Sequence, residues 1–233
     1  TYSGTPGVST YNWDFGFGST PRTSNVPNPA NIRYLSTGIK TVSLVVANNG
    51  CISDTFTTTF EVIPEPKADF IVNSNSTICS NDSIPFTLTA PAVGPGQTYF
   101  WRFGNNSSPA TSSLPNPGGV TYTSGGVKTI SLVADYRGCR DVEATQLRVE
   151  ESPMLSAGQS IEFCEGAGGA QINATTTGGT PTYTYLWRCS APSCGLSSNI
   201  VEDPFVNPLA FAPQTIQYYG QAVDAKGCRS NID

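Results

Sequence analysis

The sequence predicts an all-β chain built from tandem copies of one module. Three observations lead to this prediction: short runs in which apolar and polar residues alternate, no apolar stripe at helical spacing, and an internal repeat of about 88 residues. The alternation is clear at Tyr11, Trp13 and Phe15, which fall on one face of a predicted strand. Turn residues separate such runs along the whole chain, as is typical of sandwiches of short strands.

The repeat is defined by tryptophans and by Gly-Cys pairs. Each copy has a Trp followed by a late cysteine: Trp13 and Cys51, Trp101 and Cys139, Trp187 and Cys228. The first two distances are 38 residues and the third is 41, while equivalent residues of successive copies lie 86 to 89 apart. We predict that the three tryptophans are core residues. The glycines before the late cysteines are predicted to supply a positive φ in turns: Gly50, Gly138 and Gly227.

Local sequence confirms that the first two copies are related. YNWDFG at 11–16 matches YFWRFG at 99–104, and GIKTVSLVVANNGC at 38–51 matches GVKTISLVADYRGC at 126–139. Alternation in the second copy predicts strands at 68–72, 83–90, 98–104, 120–123, 128–136 and 139–150. Six or seven short strands in a unit of this length predict an immunoglobulin-like β-sandwich without substantial helix.

Proline-bearing stretches at 63–66 and 151–153 are predicted to be short, stiff linkers between copies. The expected domains are 1–64, which lacks its opening strands, 65–153, which is complete, and 154–233, which lacks its closing strand. The missing strands are expected either in further sequence of the same array or in neighbouring chains by strand addition. The array is favoured because unprotected sheet edges need special devices.

Early cysteines complete the pattern, since Cys79 and Cys164 lie 22 and 23 residues before the tryptophans of their copies. The partner of Cys51 is expected before residue 1. The predicted disulfides are Cys79–Cys139, Cys164–Cys228 and a local Cys189–Cys194 bridge. Zinc is disfavoured at Cys189 and Cys194 because the chain has no histidine. Structural disulfides of this kind predict an exported protein in an oxidising, extracellular compartment.

Composition excludes several classes of function. Only 12% of residues are charged and the net charge is −5, without the basic cluster that nucleic acid or an anionic membrane requires. No apolar stretch is long enough for a membrane span, and the first residues lack the layout of a signal peptide, which is expected outside this sequence. Without histidine, catalysis is disfavoured. We expect no cofactor; the alternative is calcium at the linker carboxylates Glu61, Glu65 and Asp69 or Glu150 and Glu151.

The motifs also support a family resemblance. YNWDFGFG, followed by a Tyr-bearing segment and GIKTVSLVVANNGC, resembles the polycystic kidney disease (PKD) domain, an immunoglobulin-like sandwich with a WDFGDG-type strand and turn. The first two copies match well, whereas the third is more similar to related repeats of large adhesins. The acidic turn of the family is absent, since Phe17 follows Gly16.

Arrays of such modules with paired cysteines are similar to those of surface adhesins in gliding bacteria with type IX secretion. Asp82-Ser83-Ile84 resembles the short site at which these bacteria attach O-glycans, and the resemblance implies modification of Ser83. It further implies a non-enzymatic structural or adhesive role as a rigid spacer. The alternative is an accessory module region of a secreted hydrolase. Expected partners are neighbouring repeats, other copies in a fibre, and surface glycans or proteins.

Overall fold

The computed structural model of the chain describes residues 9–73, 77–164, 168–208 and 215–233. Within these ranges the regular structure consists of strands alone, which confirms the predicted all-β class. In the part of the chain that is described, no helix long and apolar enough to cross a membrane is found.

The chain divides into two compact units, Thr1–Glu65 and Pro66–Asp233. The second unit holds two separate hydrophobic clusters, one formed within residues 68–149 and one within residues 155–222. The predicted linker at 151–153 therefore lies inside a compact unit, between its two cores. The division into three domains stays a prediction, and the three copies are called the first, second and third repeats below.

The first repeat forms one main antiparallel sheet, in the order β3-β1-β5-β6, with β7 also paired to β5. The strands β2 and β4 pair separately. The bounds are β1 (Ser9–Asp14), β2 (Ser19–Thr20), β3 (Thr23–Ser24), β4 (Arg33–Tyr34), β5 (Gly38–Asn48), β6 (Cys51–Ile52) and β7 (Phe56–Val62). Its sheet leaves large apolar side chains exposed, with Ile39 77% and Phe56 66% accessible.

The second repeat is a two-layered sandwich. One layer is the antiparallel sheet β12-β10-β14-β15, and the other is built from the pairs β8-β9 and β11-β13. The bounds are β8 (Phe70–Val72), β9 (Phe86–Leu88), β10 (Thr98–Arg102), β11 (Ser107–Ser108), β12 (Thr111–Ser112), β13 (Thr121–Tyr122), β14 (Gly126–Tyr136) and β15 (Cys139–Val149). Alternation operates as predicted along β10, since Trp101 is fully buried while Phe100 is 41% exposed.

The third repeat has shorter strands that pair two by two: β16 with β18, β17 with β20, and β19 with β21. The bounds are β16 (Pro153–Ser156), β17 (Ala170–Gln171), β18 (Thr175–Gly178), β19 (Thr184–Cys189), β20 (Phe205–Val206) and β21 (Tyr218–Val223). Its core consists of Trp187 with small and aliphatic neighbours, which include Leu155, Ile172 and Val206.

The tryptophans occupy equivalent positions in the three repeats. Trp101 and Trp187 are buried to 0% and 2% exposure, whereas Trp13 is half-buried. Each indole N–H donates to a backbone carbonyl 13 or 14 residues further on: Trp13 to Val26 at 3.1 Å, Trp101 to Leu114 at 2.8 Å, and Trp187 to Val201 at 2.9 Å. The hydrogen bond satisfies the polar edge of a ring whose remaining surface is apolar.

A tyrosine repeats in the same manner in the first two repeats. The Tyr34 hydroxyl donates to the Phe15 carbonyl at 3.0 Å, and the Tyr122 hydroxyl donates to the Phe103 carbonyl at 2.7 Å. Burial raises the pKa of Tyr122 to about 12, and it also raises the pKa of Tyr34.

The turns before the late cysteines use glycine in the left-handed region, with φ of 86° at Gly50, 90° at Gly138 and 88° at Gly227. In the first two repeats the residue before the glycine also has positive φ, namely Asn49 and Arg137. Two consecutive residues of positive φ form the tight two-residue turn that suits the twist of a β-hairpin. The third repeat differs here because a longer turn separates β21 from Cys228.

Candidate functional site: the junction around Cys79 and Cys228

A disulfide bond joins the second repeat to the third. Cys79 and Cys228 are bonded with a Cα–Cα distance of 5.5 Å, and they are 149 residues apart in the sequence. Both are buried, at 8% and 0% exposure. The bond therefore links the early cysteine of one repeat with the late cysteine of the next.

This bond corrects the two long-range pairings expected from the sequence. Cys79 is not bonded to Cys139, and Cys228 is not bonded to Cys164; Cys139 and Cys164 are both free thiols, Cys164 being exposed. The reason is the length of β15, which begins at Cys139, while Cys79 lies beside Glu150, just beyond its other end. Ten steps along a strand cover about 33 Å, far more than the ~7 Å that a disulfide spans between Cα atoms.

The predicted local bridge is present in the third repeat, where Cys189 is bonded to Cys194. It closes a small loop at the end of β19, and the Tyr218 hydroxyl donates to the Cys194 carbonyl at 2.6 Å. Cys51, the remaining cysteine, is an exposed free thiol in β6. Its expected partner before residue 1 stays a prediction.

Backbone hydrogen bonds hold Cys79 against the strand that leads out of the second repeat. Cys79 and Glu150 form a parallel bridge, in which the Glu150 amide donates to the Ile78 carbonyl at 2.7 Å and the Ser80 amide donates to the Glu150 carbonyl at 2.8 Å. The Asp82 carboxylate accepts from the Cys79 amide at 2.8 Å. The Cys79 loop and the exit strand are thus fixed to each other independently of the disulfide.

Two buried serines fix the linker itself. The Ser152 amide donates to the Ser80 hydroxyl oxygen, and the Ser152 hydroxyl donates to the Ser80 carbonyl, both at 2.9 Å. Ser80 is 4% exposed and Ser152 is 8% exposed. Pro153, which follows Ser152, is fully buried and is the first residue of β16. Buried polar groups that satisfy each other specify one geometry, because separating them leaves donors and acceptors without partners.

On the third repeat, the carboxylate of Asp224 organises the turn that carries Cys228. Its Oδ1 accepts from the amides of Lys226 at 2.9 Å and Cys228 at 2.8 Å, and its Oδ2 accepts from the amide of Thr180 at 2.8 Å. Asp224 is only 6% exposed. A buried carboxylate is stable when several donors satisfy it, and these three amides fix the position of the bonded sulfur.

Charged side chains lie near Glu150 at the junction. The Arg148 guanidinium contacts Glu150 at 2.6 Å, and this hydrogen bond is the main reason why the pKa of the Glu150 carboxyl is lowered. The positive charge of Lys226 lowers the pKa further, while Asp224 opposes it. Lys226 and Asp224 belong to the third repeat and Glu150 to the end of the second, so charges of both signs from the third repeat act on this carboxyl.

Sequence reasoning did not identify Ser80, Ser152 or Asp224 as junction residues. A signal was present in the proline pattern, because Pro66 and Pro153 lie 87 residues apart and both are fully buried. The burial of Pro153 indicates that the linker between the second and third repeats is packed rather than solvated.

The other sequence-predicted sites are dispersed. Ser83 is exposed beside the Cys79 loop, and its O-glycosylation stays a prediction. Among the described residues, no group of three or more His, Cys, Asp or Glu side chains is placed to hold a metal ion. Phe17, in place of the acidic turn of PKD domains, is 88% exposed.

No family model matches the sequence, and no curated protein matches it. Among solved structures, an I-band fragment of titin is 13% identical with a TM-score of 0.34, and the match covers 98% of this chain and 88% of the titin chain. Three N-terminal domains of the outer capsid protein Hoc of bacteriophage RB49 are 11% identical with a TM-score of 0.32, covering 99% and 88%. Drosophila N-cadherin EC1–4 is 13% identical with a TM-score of 0.25, covering 98% and 66%.

Proposed function

We propose that this chain is a non-enzymatic segment of a large extracellular repeat protein, in which disulfide-stapled sandwiches act as rigid spacers in a surface fibre or long adhesin. The observation that carries the proposal is the Cys79–Cys228 bond between successive repeats. A disulfide within one repeat would stabilise a domain, whereas a disulfide between repeats fixes the geometry of the array.

The junction supports a mechanical role. Paired serines, a buried proline and a carboxylate turn hold the linker so that the two repeats share one packed boundary. Inter-domain motion is the usual expectation unless the interface is large or fixed, and here a disulfide joins the two repeats while hydrogen bonds hold the linker. The persistence of such a disulfide supports an oxidising, extracellular location. Membership of the PKD-like repeats and secretion by the type IX route of bacteria are part of this proposal.

Pulling single molecules by their ends tests the mechanical role. With the bond intact, residues between Cys79 and Cys228 cannot lengthen the chain when they unfold. The variant Cys79→Ser/Cys228→Ser is expected to show about 500 Å of additional contour length, from 149 residues at ~3.5 Å each. Reducing agent should give the same gain in the unmodified protein.

The matched control is Cys189→Ser/Cys194→Ser, which removes the bridge across five residues and releases only about 20 Å. Equal contour lengths for the oxidised wild type and the Cys79→Ser/Cys228→Ser variant would contradict the mechanical role. Immunogold electron microscopy of intact cells tests the location: label on external filaments is expected, and label confined to the cytoplasm would contradict the proposal.

A further inference from the structure

We propose that Cys139, Cys164 and Cys51 each form a disulfide with a cysteine of the neighbouring repeat that lies outside these 233 residues, so that every repeat of the array is covalently bonded to the next. The bond seen between Cys79 and Cys228 is then one rung of a continuous ladder. This inference rests on the proposed function only in treating the chain as part of a longer array.

The cysteines of the three repeats are equivalent in position along the sequence. Cys51, Cys139 and Cys228 are the late cysteines of the three repeats, and Cys79 and Cys164 are early cysteines. The structure joins an early cysteine to the late cysteine of the following repeat. Under this rule, the partners of Cys51 and Cys139 lie in preceding repeats, before residue 1, and the partner of Cys164 lies in a following repeat. These are the three cysteines that are free in the structure.

The second and third repeats begin in a similar way. In the second repeat the Ala68 amide donates to the Asp141 carboxylate at 3.0 Å, and in the third the Leu155 amide donates to the Asn231 side-chain oxygen at 3.3 Å. Both acceptors follow the late cysteine by two or three residues. Cys139 therefore occupies the entry end of the second repeat, as Cys228 occupies that of the third.

Proline burial extends this equivalence. Pro66 and Pro153 precede these two donors by two residues each, and both are fully buried. The entry end of the second repeat is thus built like the junction that contains the observed bond. Cys139 is half-buried, and it is the late cysteine of the second repeat as Cys228 is that of the third.

Burial of the early cysteines fits the same arrangement. Cys79, whose following repeat is present and bonded to it, is only 8% exposed. Cys164, the equivalent residue of the third repeat, is exposed. A docked fourth repeat would bring its late cysteine to Cys164 and cover this thiol as the third repeat covers Cys79.

Each rung forms by oxidation of two thiols. One thiolate attacks an exchangeable disulfide, such as oxidised glutathione or a disulfide oxidoreductase, and releases one of its sulfurs as a thiol. The second cysteine then attacks the mixed disulfide and releases the other sulfur. Two protons and two electrons leave the cysteine pair, and the exchangeable disulfide is reduced to two thiols.

Disulfide mapping of the native full-length protein tests the ladder. Free thiols are alkylated before unfolding, the protein is digested without reduction, and linked peptides are identified by mass spectrometry. We expect Cys139 and Cys51 each linked to a cysteine about 149 residues towards the N-terminus, and Cys164 linked to one about 149 residues towards the C-terminus. Cys79–Cys139 or Cys164–Cys228 peptides, links between separate molecules, or alkylated Cys139 would overturn the inference.

A variant of the full-length protein sharpens the test. Cys139→Ser should release one new thiol in the preceding repeat, detectable by maleimide labelling and peptide mapping. The matched control Cys189→Ser should release only Cys194 in its own repeat. Release of Cys79 by Cys139→Ser would overturn the ladder. In one outcome, pulling shows that the Cys79–Cys228 bond limits extension while mapping finds Cys51, Cys139 and Cys164 alkylated. That combined result would overturn the ladder and leave the spacer role intact.

Discussion

The first and second repeats share nearly the same strand and turn motif, yet they bury it to different extents. Trp13 and Trp101 make the same indole hydrogen bond, but Trp13 is half-buried and Trp101 is fully buried. In the second repeat the aromatic rings of Phe70 and Phe86 lie 4.9 and 5.8 Å from the Trp101 ring. These two rings lie in β8 and β9. The described part of the first repeat contains no strand equivalent to either. Local geometry thus belongs to the motif, whereas burial is supplied by the second layer of the sandwich.

The largest expected effect of this difference concerns the tryptophans. Trp101→Ala should lower the free energy of unfolding of the second repeat by about 3–5 kcal/mol, because it leaves a large cavity in a closed core. In the 233-residue chain, Trp13→Ala should cost the first repeat about half of that or less, since its ring is already partly in water. Peptide-resolved hydrogen exchange in urea measures each repeat separately. Equal losses would contradict the view that the second layer provides the burial.

Substitution of the equivalent tyrosines should again cost the second repeat more stability than the first, with a smaller effect. Tyr122→Phe removes a buried hydroxyl and leaves the Phe103 carbonyl without its donor, which should cost about 2 kcal/mol. Tyr34→Phe should cost less than ~1 kcal/mol because this hydrogen bond is only part-buried. Urea unfolding followed by hydrogen exchange in β14 and β5 compares the two. A larger loss for Tyr34→Phe would overturn the comparison.

Alkaline pH should lower the stability of the second repeat through Tyr122. The folded-state pKa of Tyr122 is about 12, above its unfolded value near 10. Across this window the unfolded state releases the proton and the folded state keeps it, so the stability of the second repeat falls as pH rises from about 10 to 12. Tyr122→Phe should flatten this decline when unfolding is measured at each pH. An unchanged slope in the variant would assign the decline to other groups.

The smallest expected effect tests what the repeats share. Gly50→Ala and Gly138→Ala each place a Cβ on a residue of positive φ, in open space with no atom within 4 Å. Each should cost about 1 kcal/mol, because only the backbone conformation is disfavoured. The two costs should be equal despite the difference in burial. Unequal melting shifts of the two repeats, measured by hydrogen exchange during heating, would show that the turns depend on the second layer.

Much of the fold could be predicted from the sequence because it depends on local patterns. The alternation at 98–104 predicted β10 (Thr98–Arg102), and the segment before the late cysteine predicted β14 (Gly126–Tyr136). The local Cys189–Cys194 bridge was also predictable, since five residues of separation leave few alternatives.

The junction could not be predicted because it depends on distances along strands and on the docking of two repeats. A strand at 139–150 was predicted, but spacing in the sequence did not reveal that Cys79 lies beside its far end, next to Glu150. The hydrogen bonds of Ser80 with Ser152 join residues 72 apart in the sequence. Neither serine belongs to a motif, so only their approach in three dimensions reveals their role.

The Cys79–Cys228 bond has a consequence for proteolysis. A protease that cuts any peptide bond between these two cysteines leaves both fragments attached to each other through sulfur. If neighbouring rungs overlap as inferred, a single cut inside a repeat would leave the chain connected, and separation of the fragments would require reduction of the disulfides that span the cut. A protein with such bonds that is exposed to proteases would therefore stay connected while it accumulates nicks.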